Sequence, residues 1–520
     1  MAYDKRKKDQ VLACLAQIEY LLNQIVYDKD INHKTLANID IRTRDINTAV
    51  KKMSQDVSEI SRMLYDSYRY ASPELITTLQ SQVPGKKRIL LVGFYGAPNL
   101  GDELMCLTVL DYLREKLPDA EFTVMCTNSD SFNYADAYFG ANILHYPRGY
   151  YDENVIANSF DAIIVGGGAL IDDSFPARGG NVPGTMNIGR VAVELPKAFG
   201  TMGKPSAMLG LSTNDKLEDP QYIDTVVTAI AGTHVTTIRD PYSLDTLLKC
   251  GAPEDRMALC PDIVASDKIL YEVLRGTRLL LEEENEAIKS GKKTGDDIKR
   301  IMVTWISSDQ ESMSRLASIV EAVAIKNMEL NKNVRVCLVP FLQEFNTDEN
   351  MATALRAILS DGANGILETP KYTEDIGIVC NMISACDYAV NMRYHGGLLA
   401  ALLGLPGVVV IWEEHRHYHN KMKHLAKQFA DFKQVDSSRF DAMTEVEKAF
   451  NVVFGDEMDR NRGVFNAGFK PDKGAKRKGV PQSITTIERR ILRLNETEKI
   501  CLEAQDKMEG IISYLAKLVS

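Results

Sequence analysis

Arg393 and His395 stand two residues apart in "NMRYHGGLLAALLGLPG", after the apolar run "YAV" and ahead of Gly396-Gly397 and a short apolar helix. Arginine offers a planar fork of N–H donors that matches a carboxylate or phosphate. Histidine can carry a proton near neutral pH, and the adjoining helix N-terminus is itself an anion site. The pair therefore reads as an anion site with a proton donor; a histidine merely satisfied within the core is the plainer alternative. Arg239, in "TIRDPYS", occupies the same kind of position, at a strand end before a helix. A ligand role there competes almost equally with a salt bridge to Asp240 or a sheet-edge charge.

A second chemical signal is "GFYGAPNLGDELM", residues 93 to 105, a glycine-rich turn from strand to helix. It holds no G-x-G-x-x-G and no terminal Gly-Lys-Ser/Thr, so it is neither the dinucleotide fingerprint nor a P-loop. Gly93, Gly96 and Gly101 permit tight turning and close approach to a ligand. Asn99 or Asp102 can cap the following helix. On the simpler reading, Asp102 and Glu103 complement the helix macrodipole, worth about 0.3–1 kcal/mol each. On the sharper one, Asp102 reaches a cleft as a base or hydroxyl binder. Gly166, Gly167 and Gly168 in "DAIIVGGGALIDD" predict backbone that passes very near a ligand or the neighbouring domain, a ligand-facing loop being favoured, because a plain turn needs fewer glycines. In "EEHRHYHNKMKH", His415, His417, His419 and His424 crowd beside Glu413 and Glu414. Their spacing fits neither H-E-x-x-H nor a closed zinc pattern. No metal is expected; the favoured reading is the polar rim of a cleft, with Lys421 pointing inward.

These residues need strands and helices to present them. From about 86 to 265, apolar runs alternate with helices: "RILLVGF", "EFTVMC", "ANILHY", "DAIIVGGG", "SAMLGL" and "HVTTIRD". A second alternation holds "IMVTWI", "VRVCLVPF", a helix near 349 to 360, "GILETP", a helix near 374 to 385, "YAVNM" and "GVVVIW". Short buried strands separated by helices predict parallel, doubly wound sheets. The expected fold is α/β, with two Rossmann-like domains at 86–271 and 301–455. Ligands in such sheets sit beyond the carboxyl ends of the strands. The highly charged stretch 272–300 reads as an interdomain segment.

Both ends differ from this body. Leu36, Ile39, Thr43, Ile46, Val50, Met53, Val57, Ile60 and Leu64 sustain a heptad seam for about four heptads, and an amphipathic helix is predicted at about 8 to 27. Residues 1–85 thus read as a helical, coiled-coil-like region, and 456–520 as a basic linker and a C-terminal helix. In that helix Ile484, Ile487, Ile491, Leu494, Met508, Ile512, Leu515 and Val519 keep register, with polar Glu498 and Gln505 at core positions. Homo-oligomerisation through the terminal helices is expected; packing of these helices on each other or on the body is the alternative.

At 520 residues the chain exceeds one core, and 45% hydrophobic with 25% charged residues is ordinary for a globular protein. A net charge of -10 argues against nucleic acid as the main partner. Nine cysteines without a C-x-x-C pair suit reduced thiols. With no apolar leader or spanning run, a cytoplasmic protein is expected.

The constellation resembles the polysaccharide pyruvyl transferase family: "GFYGAPNLGDE", "VGGGALIDD", "IRDPYS" and "RYHGGLLAALLGLP" follow in the family's order, with Lys421 matching a lysine after the last strand. The histidines after Trp412 depart from it, and the terminal helices lie outside it. The resemblance implies a fold similar to that of GT-B glycosyltransferases. It also implies transfer of the enolpyruvyl unit of phosphoenolpyruvate, as co-substrate and without a cofactor, to hydroxyls of a glycan or lipid-linked glycan. Arg393, His395, Arg239 and Lys421 would then hold the donor. His395 would give a proton or stabilise phosphate, and Asp102 would activate the acceptor hydroxyl. Asn99, Gly101, Glu103 and Gly166–Gly168 would lie on the acceptor side, in the first domain, with the donor on the second. A nucleotide-sugar glycosyltransferase and a non-catalytic scaffold are the rival classes. A lipid-linked acceptor would bring the enzyme to the inner face of the membrane; "KGAKRK" (Lys473 to Lys478) reads as a solvated linker in preference to a headgroup contact.

Overall fold

A computed structural model describes residues 85–127, 138, 140–146, 152–173, 188–213, 217–291, 298–306, 310–343, 347–411, 416–429, 431–461 and 485–520. The N-terminal heptads, the basic run at 473–478 and residues 412–415 lie outside the described residues.

Apolar runs ended by glycine, proline or charge form two wholly parallel sheets. The first contains β1 (Arg88–Tyr95), β2 (Glu121–Cys126), β3 (Asn142–His145), β4 (Ala162–Ile171), β5 (Ser206–Thr213), β6 (Val235–Ile238) and β7 (Met257–Leu259), in the order β3-β2-β1-β4-β5-β6-β7. Its helices are α1 (Leu100–Lys116), α2 (Glu153–Ser159), α3 (Ile188–Thr201), α4 (Pro220–Gly232) and α5 (Pro241–Lys249). After α6 (Lys268–Lys289) comes the second sheet: β8 (Lys299–Thr304), β9 (Val334–Leu338), β10 (Leu367–Glu368), β11 (Tyr388–Asn391), β12 (Gly407–Ile411) and β13 (Phe432–Asp436), ordered β10-β9-β8-β11-β12-β13. Its helices are α7 (Gln310–Leu330), α8 (Thr347–Ile358), α9 (Asp361–Ile366), α10 (Ile376–Ser384), α11 (Tyr394–Leu402), α12 (Arg416–Gln428) and α13 (Ala442–Asn461), and α14 (Thr486–Val519) closes the chain.

Both sheets run in the doubly wound order, reversing direction between β1 and β4 and again between β8 and β11. Crevices at such reversals are where ligands bind in open α/β sheets. The helix starts are written locally. Asp219, Asp240, Asp267 and Asp375 each accept a backbone N–H from the first turn of the helix that follows. Thr485 and Glu488 form a capping box at α14.

The two parallel, Rossmann-like sheets agree with the sequence, and four details differ. Strands β7 and β13 were not expected. Gly365 and Ile366 of "GILETP" end helix α9, leaving a two-residue strand. The charged stretch 272–300 is mostly α6, which joins the sheets as a helix; its exposed face carries the charge while Leu270 and Leu274 are buried. The seam of α14 is also used within the chain. Leu494, Cys501, Met508, Ile512, Leu515 and Val519 belong to one buried cluster that also includes Leu104 of α1, Leu274 of α6 and Leu398 of α11. Each such buried side chain contributes about 1.5–3 kcal/mol. The polar residue Glu498 sits at the edge of that seam, paired with Arg278 and accepting from Tyr271 Oη.

Helix α14 also caps its neighbours. Arg490 donates to the carbonyls of Ser384, the last residue of α10, and of Cys386 just beyond it, and Arg493 Nε donates to Gly404 O beyond α11 at 2.9 Å. Cations at helix C-termini meet unsatisfied carbonyls and the negative end of the dipole. Among the described residues no helix is long and apolar enough to cross a membrane, and their eight cysteines are all free thiols.

Candidate active site

The loop after β1 crosses to the second domain. Leu100 N donates to Phe341 O at 2.9 Å, Gln343 N donates to Pro98 O at 2.9 Å, and Asn99 forms an antiparallel bridge with Leu342. Gly101 is needed for this approach. A Cβ there would lie 1.8 Å from His395 Nδ1, so any side chain would displace the histidine of the opposite domain.

Asp102 is buried in the first turn of α1, and its Oδ2 accepts from Asn99 Nδ2 at 2.6 Å. Asn99 stands at the N-cap position but makes no side-chain cap; its amide serves Asp102 instead. Burial pushes the Asp102 carboxyl up to about 6, against the opposing pull of His395, Arg239 and Lys421. Glu103 points the other way. It is fully buried, accepting from Gly96 N at 2.8 Å and from the Tyr138 hydroxyl. Burial raises its carboxyl well above the ordinary range. Glu103 thus braces the turn from inside, a different place from the acceptor side expected for it.

The three glycines likewise take a different form. They continue β4 rather than forming a loop, and Gly167 and Gly168 adopt φ of +67° and +97°. Added Cβ atoms would meet Met105 Sδ at 2.2 Å and Asp102 Oδ1 at 3.1 Å respectively. The backbone that passes close by is therefore met by the first turns of α1, which the missing side chains let settle onto the sheet.

Arg239 lies at the end of β6, almost fully buried. Its Nη1 meets Asp262 Oδ2 at 2.8 Å, its Nη2 donates to Ser212 Oγ at 3.1 Å, and its guanidinium carbon is 4.5 Å from the Tyr394 ring centre. The salt bridge is thus with Asp262, not Asp240, which caps α5. His395 reaches the same carboxylate, Nε2 standing 3.8 Å from Asp262 Oδ2. Burial alone would raise Asp262, but Arg239 and His395 outweigh it and hold the carboxyl well below the usual range. Lys421 on α12 is buried too. Desolvation, reinforced by Arg239, pulls its amine down to about 7, while Asp102, Asp240 and Asp172 act in the other direction. The inward-pointing lysine is therefore present, and its neighbour His424 has its pKa lowered by burial.

Arg393 has a prior engagement. Its Nε donates to Trp305 O at 3.0 Å and its Nη2 to Asp348 Oδ1 at 2.6 Å. Among the described residues, Arg239 Nε, His395 Nε2 and Asn391 Nδ2 are buried without a hydrogen-bond partner. First-domain Asp102, Arg239 and Asp262 thus meet second-domain His395 and Lys421, whereas Arg393 is turned to Asp348 and Trp305 of its own domain.

Residues 99–414 match the family model described as polysaccharide pyruvyl transferase. The chain belongs to that family. The matched stretch begins at Asn99 and includes Asp102, Arg239, Asp262, Arg393 and His395, and supports a transferase. No curated protein sequence matches the chain. Among solved structures it is similar to the UDP-GlcNAc 2-epimerase of Methanocaldococcus jannaschii, with 12% identity and a TM-score of 0.44 over 71% of this chain and 92% of the other. The UDP-GlcNAc 2-epimerase of Neisseria meningitidis bound to UDP-GlcNAc shows 10% identity and a TM-score of 0.44 over 81% and 100%. The N-terminal domain of Candida albicans trehalose-6-phosphate phosphatase shows 10% and 0.41 over 84% and 98%. Likenesses this distant say nothing about substrate.

Within this family member, sequence reasoning missed Asp262 and Asp348. A signal existed for the first: "CPDIVAS" follows strand β7, a post-strand loop like the three that were singled out. Asp348 gave none, because it looks like an acidic residue in the first turn of a helix.

Proposed function

We propose that this protein is a ketal-forming pyruvyl transferase, moving the enolpyruvyl unit of phosphoenolpyruvate to a sugar of a cell-surface polysaccharide or its lipid-linked precursor. The observation that carries this reading is a pair of buried nitrogens without hydrogen-bond partners, Arg239 Nε and His395 Nε2, on residues that flank Asp262 and act on Asp102. Orphan buried donors are rare in proteins, and a compact anion with a carboxylate and a phosphate would supply their acceptors.

In this reading a sugar hydroxyl attacks C2 of the donor and its proton passes to Asp102, whose raised pKa suits a general base. His395 delivers a proton to C3, which becomes the methyl group. The C2–O bond to phosphorus then breaks, and a second sugar hydroxyl closes the ring at C2 while its proton leaves with phosphate. Proton exchange between Asp102 and His395 restores the starting state. Arg239 and Lys421 balance the donor's charge. The acceptor would be met at the cytoplasmic face of a membrane, and the N-terminal heptads would hold a homo-oligomer together.

The test is phosphate release from phosphoenolpyruvate on addition of polymer precursors, with UDP-sugars as the control donors. Turnover of a UDP-sugar with none of phosphoenolpyruvate would replace this reading with a glycosyl transfer.

A further inference from the structure

One carboxylate lies between Arg393 and the loop that carries Asp102. Asp348 is buried in the first turn of α8 and uses both oxygens. Oδ1 accepts from Arg393 Nη2 at 2.6 Å; Oδ2 accepts from Phe341 N at 2.6 Å and Leu342 N at 2.8 Å. Its own N–H donates back to Leu342 O at 3.2 Å. The 341–343 segment so held is the one that pairs across the domain boundary with residues 98–100. From there Asn99 Nδ2 reaches Asp102 at 2.6 Å. A continuous run of hydrogen bonds, none longer than 3.2 Å, therefore joins the second domain's arginine to the first domain's carboxylate.

We infer that Asp348 is a positioning residue which couples the orientation of Arg393 to that of Asp102 across the domain boundary. A charge-assisted bond fixes direction as well as distance, so the guanidinium cannot turn without disturbing the carboxylate that holds Phe341 and Leu342. Conversely, the 98–100 loop cannot leave its bridge without loosening the amides on Asp348. The consequence for a two-substrate site is that the donor side and the acceptor side are set as a unit. This inference rests on the proposed function for its turnover readout alone.

Two variants test it. Asp348→Asn removes the charge and one acceptor. Gln343→Pro removes the N–H given to Pro98 while leaving Asp348 and Arg393 in place. Misplacement by about an ångström costs roughly a hundredfold in rate, so kcat with phosphoenolpyruvate should fall by about that factor in both. The groups facing Asp102 are His395, Arg239, Lys421, Asp262 and Glu103, with the Tyr95 hydroxyl and the Asn99 amide. With the loop released, water should reach Asp102, and the acid limb of the pH profile should move from near 6 towards 3.8.

A second arm needs no substrate: Asp102→Asn should raise the melting temperature above pH 6, and that gain should shrink by at least half in either variant background. If both variants merely melt earlier, with the acid limb and the Asp102→Asn gain unmoved, Asp348 is only a structural ion pair and the coupling is refuted. Should Asp348→Asn fail to fold, Gln343→Pro decides alone. Wild-type protein inert towards phosphoenolpyruvate would overturn the proposed function and leave the thermal arm to judge the coupling.

Discussion

Replacing Asp102 by Asn should make the protein more stable and inactive at once. Asp102 is only 8% exposed, and its carboxyl is displaced from 3.8 to about 6, chiefly by burial. One pKa unit corresponds to about 1.4 kcal/mol, so keeping this group ionised in the fold costs about 3 kcal/mol at most. The sign follows from proton binding. Between pH 3.8 and 6 the native state holds a proton that the unfolded chain has released, so stability falls as pH rises through that window and stays lower above it. Asn keeps an acceptor for the Asn99 amide and cannot ionise. Above pH 7 the variant should therefore melt several degrees higher, at roughly 2–4 °C per kcal/mol for a unit of 150–250 residues. At pH 3.8 and below the difference should vanish. Differential scanning calorimetry across pH 3.5 to 8, beside phosphate release from phosphoenolpyruvate, reads both effects. A variant that is destabilised at pH 8, or whose advantage does not depend on pH, would refute the account of Asp102 as a charge held in the site at a cost in stability.

Arg393→Lys keeps the charge but loses the fork that spans Trp305 O and Asp348. With about 1.5–3 kcal/mol per lost bond to a charged group, titration calorimetry should show phosphoenolpyruvate binding ten- to a hundredfold weaker, accompanied by a lower melting temperature. Activity should follow a narrow bell, since Asp102 is a base above about 6 and Lys421 carries a proton below about 7. Lys421→Met should abolish the alkaline limb and stabilise the protein, most below pH 7 and less and less between 7 and 10.5, because burial of the amine works against folding wherever the unfolded chain holds its proton. Gly101→Ala should displace His395, whose Nδ1 would lie 1.8 Å from the new methyl, and should abolish turnover in the phosphate-release assay. Removing residues 1 to 75 should lower the mass seen by light scattering while circular dichroism of the α/β body persists; equal monomeric masses would show that the heptads act within one chain.

Much of the fold was legible because its causes are local. Strands such as "EFTVMC" begin and end where apolar runs meet charged or polar residues, and the Asp-capped helix starts are written within four residues. The post-strand placement of Asp102, Arg239 and His395 was legible too, since doubly wound sheets aim those positions at one edge. The C-terminal seam was visible as a period, but whether it met another chain or its own body depended on surfaces hundreds of residues away. The same holds for chemistry. A sequence marks Glu103 and Asp102 as neighbours of one kind, yet the turn of α1 sends one carboxylate into the core beside Tyr138 and the other towards His395. Nothing local told Arg239 to choose Asp262 over Asp240, or set Arg393 on Asp348. Those pairings join residues distant in sequence within each domain, whereas the displaced pKa values of Asp102 and Lys421 arise from burial and from charges brought together by the meeting of two sheets. Local periodicity determined the elements; solvent exclusion at the domain boundary, a property of the assembled chain alone, decided which of their side chains became the site.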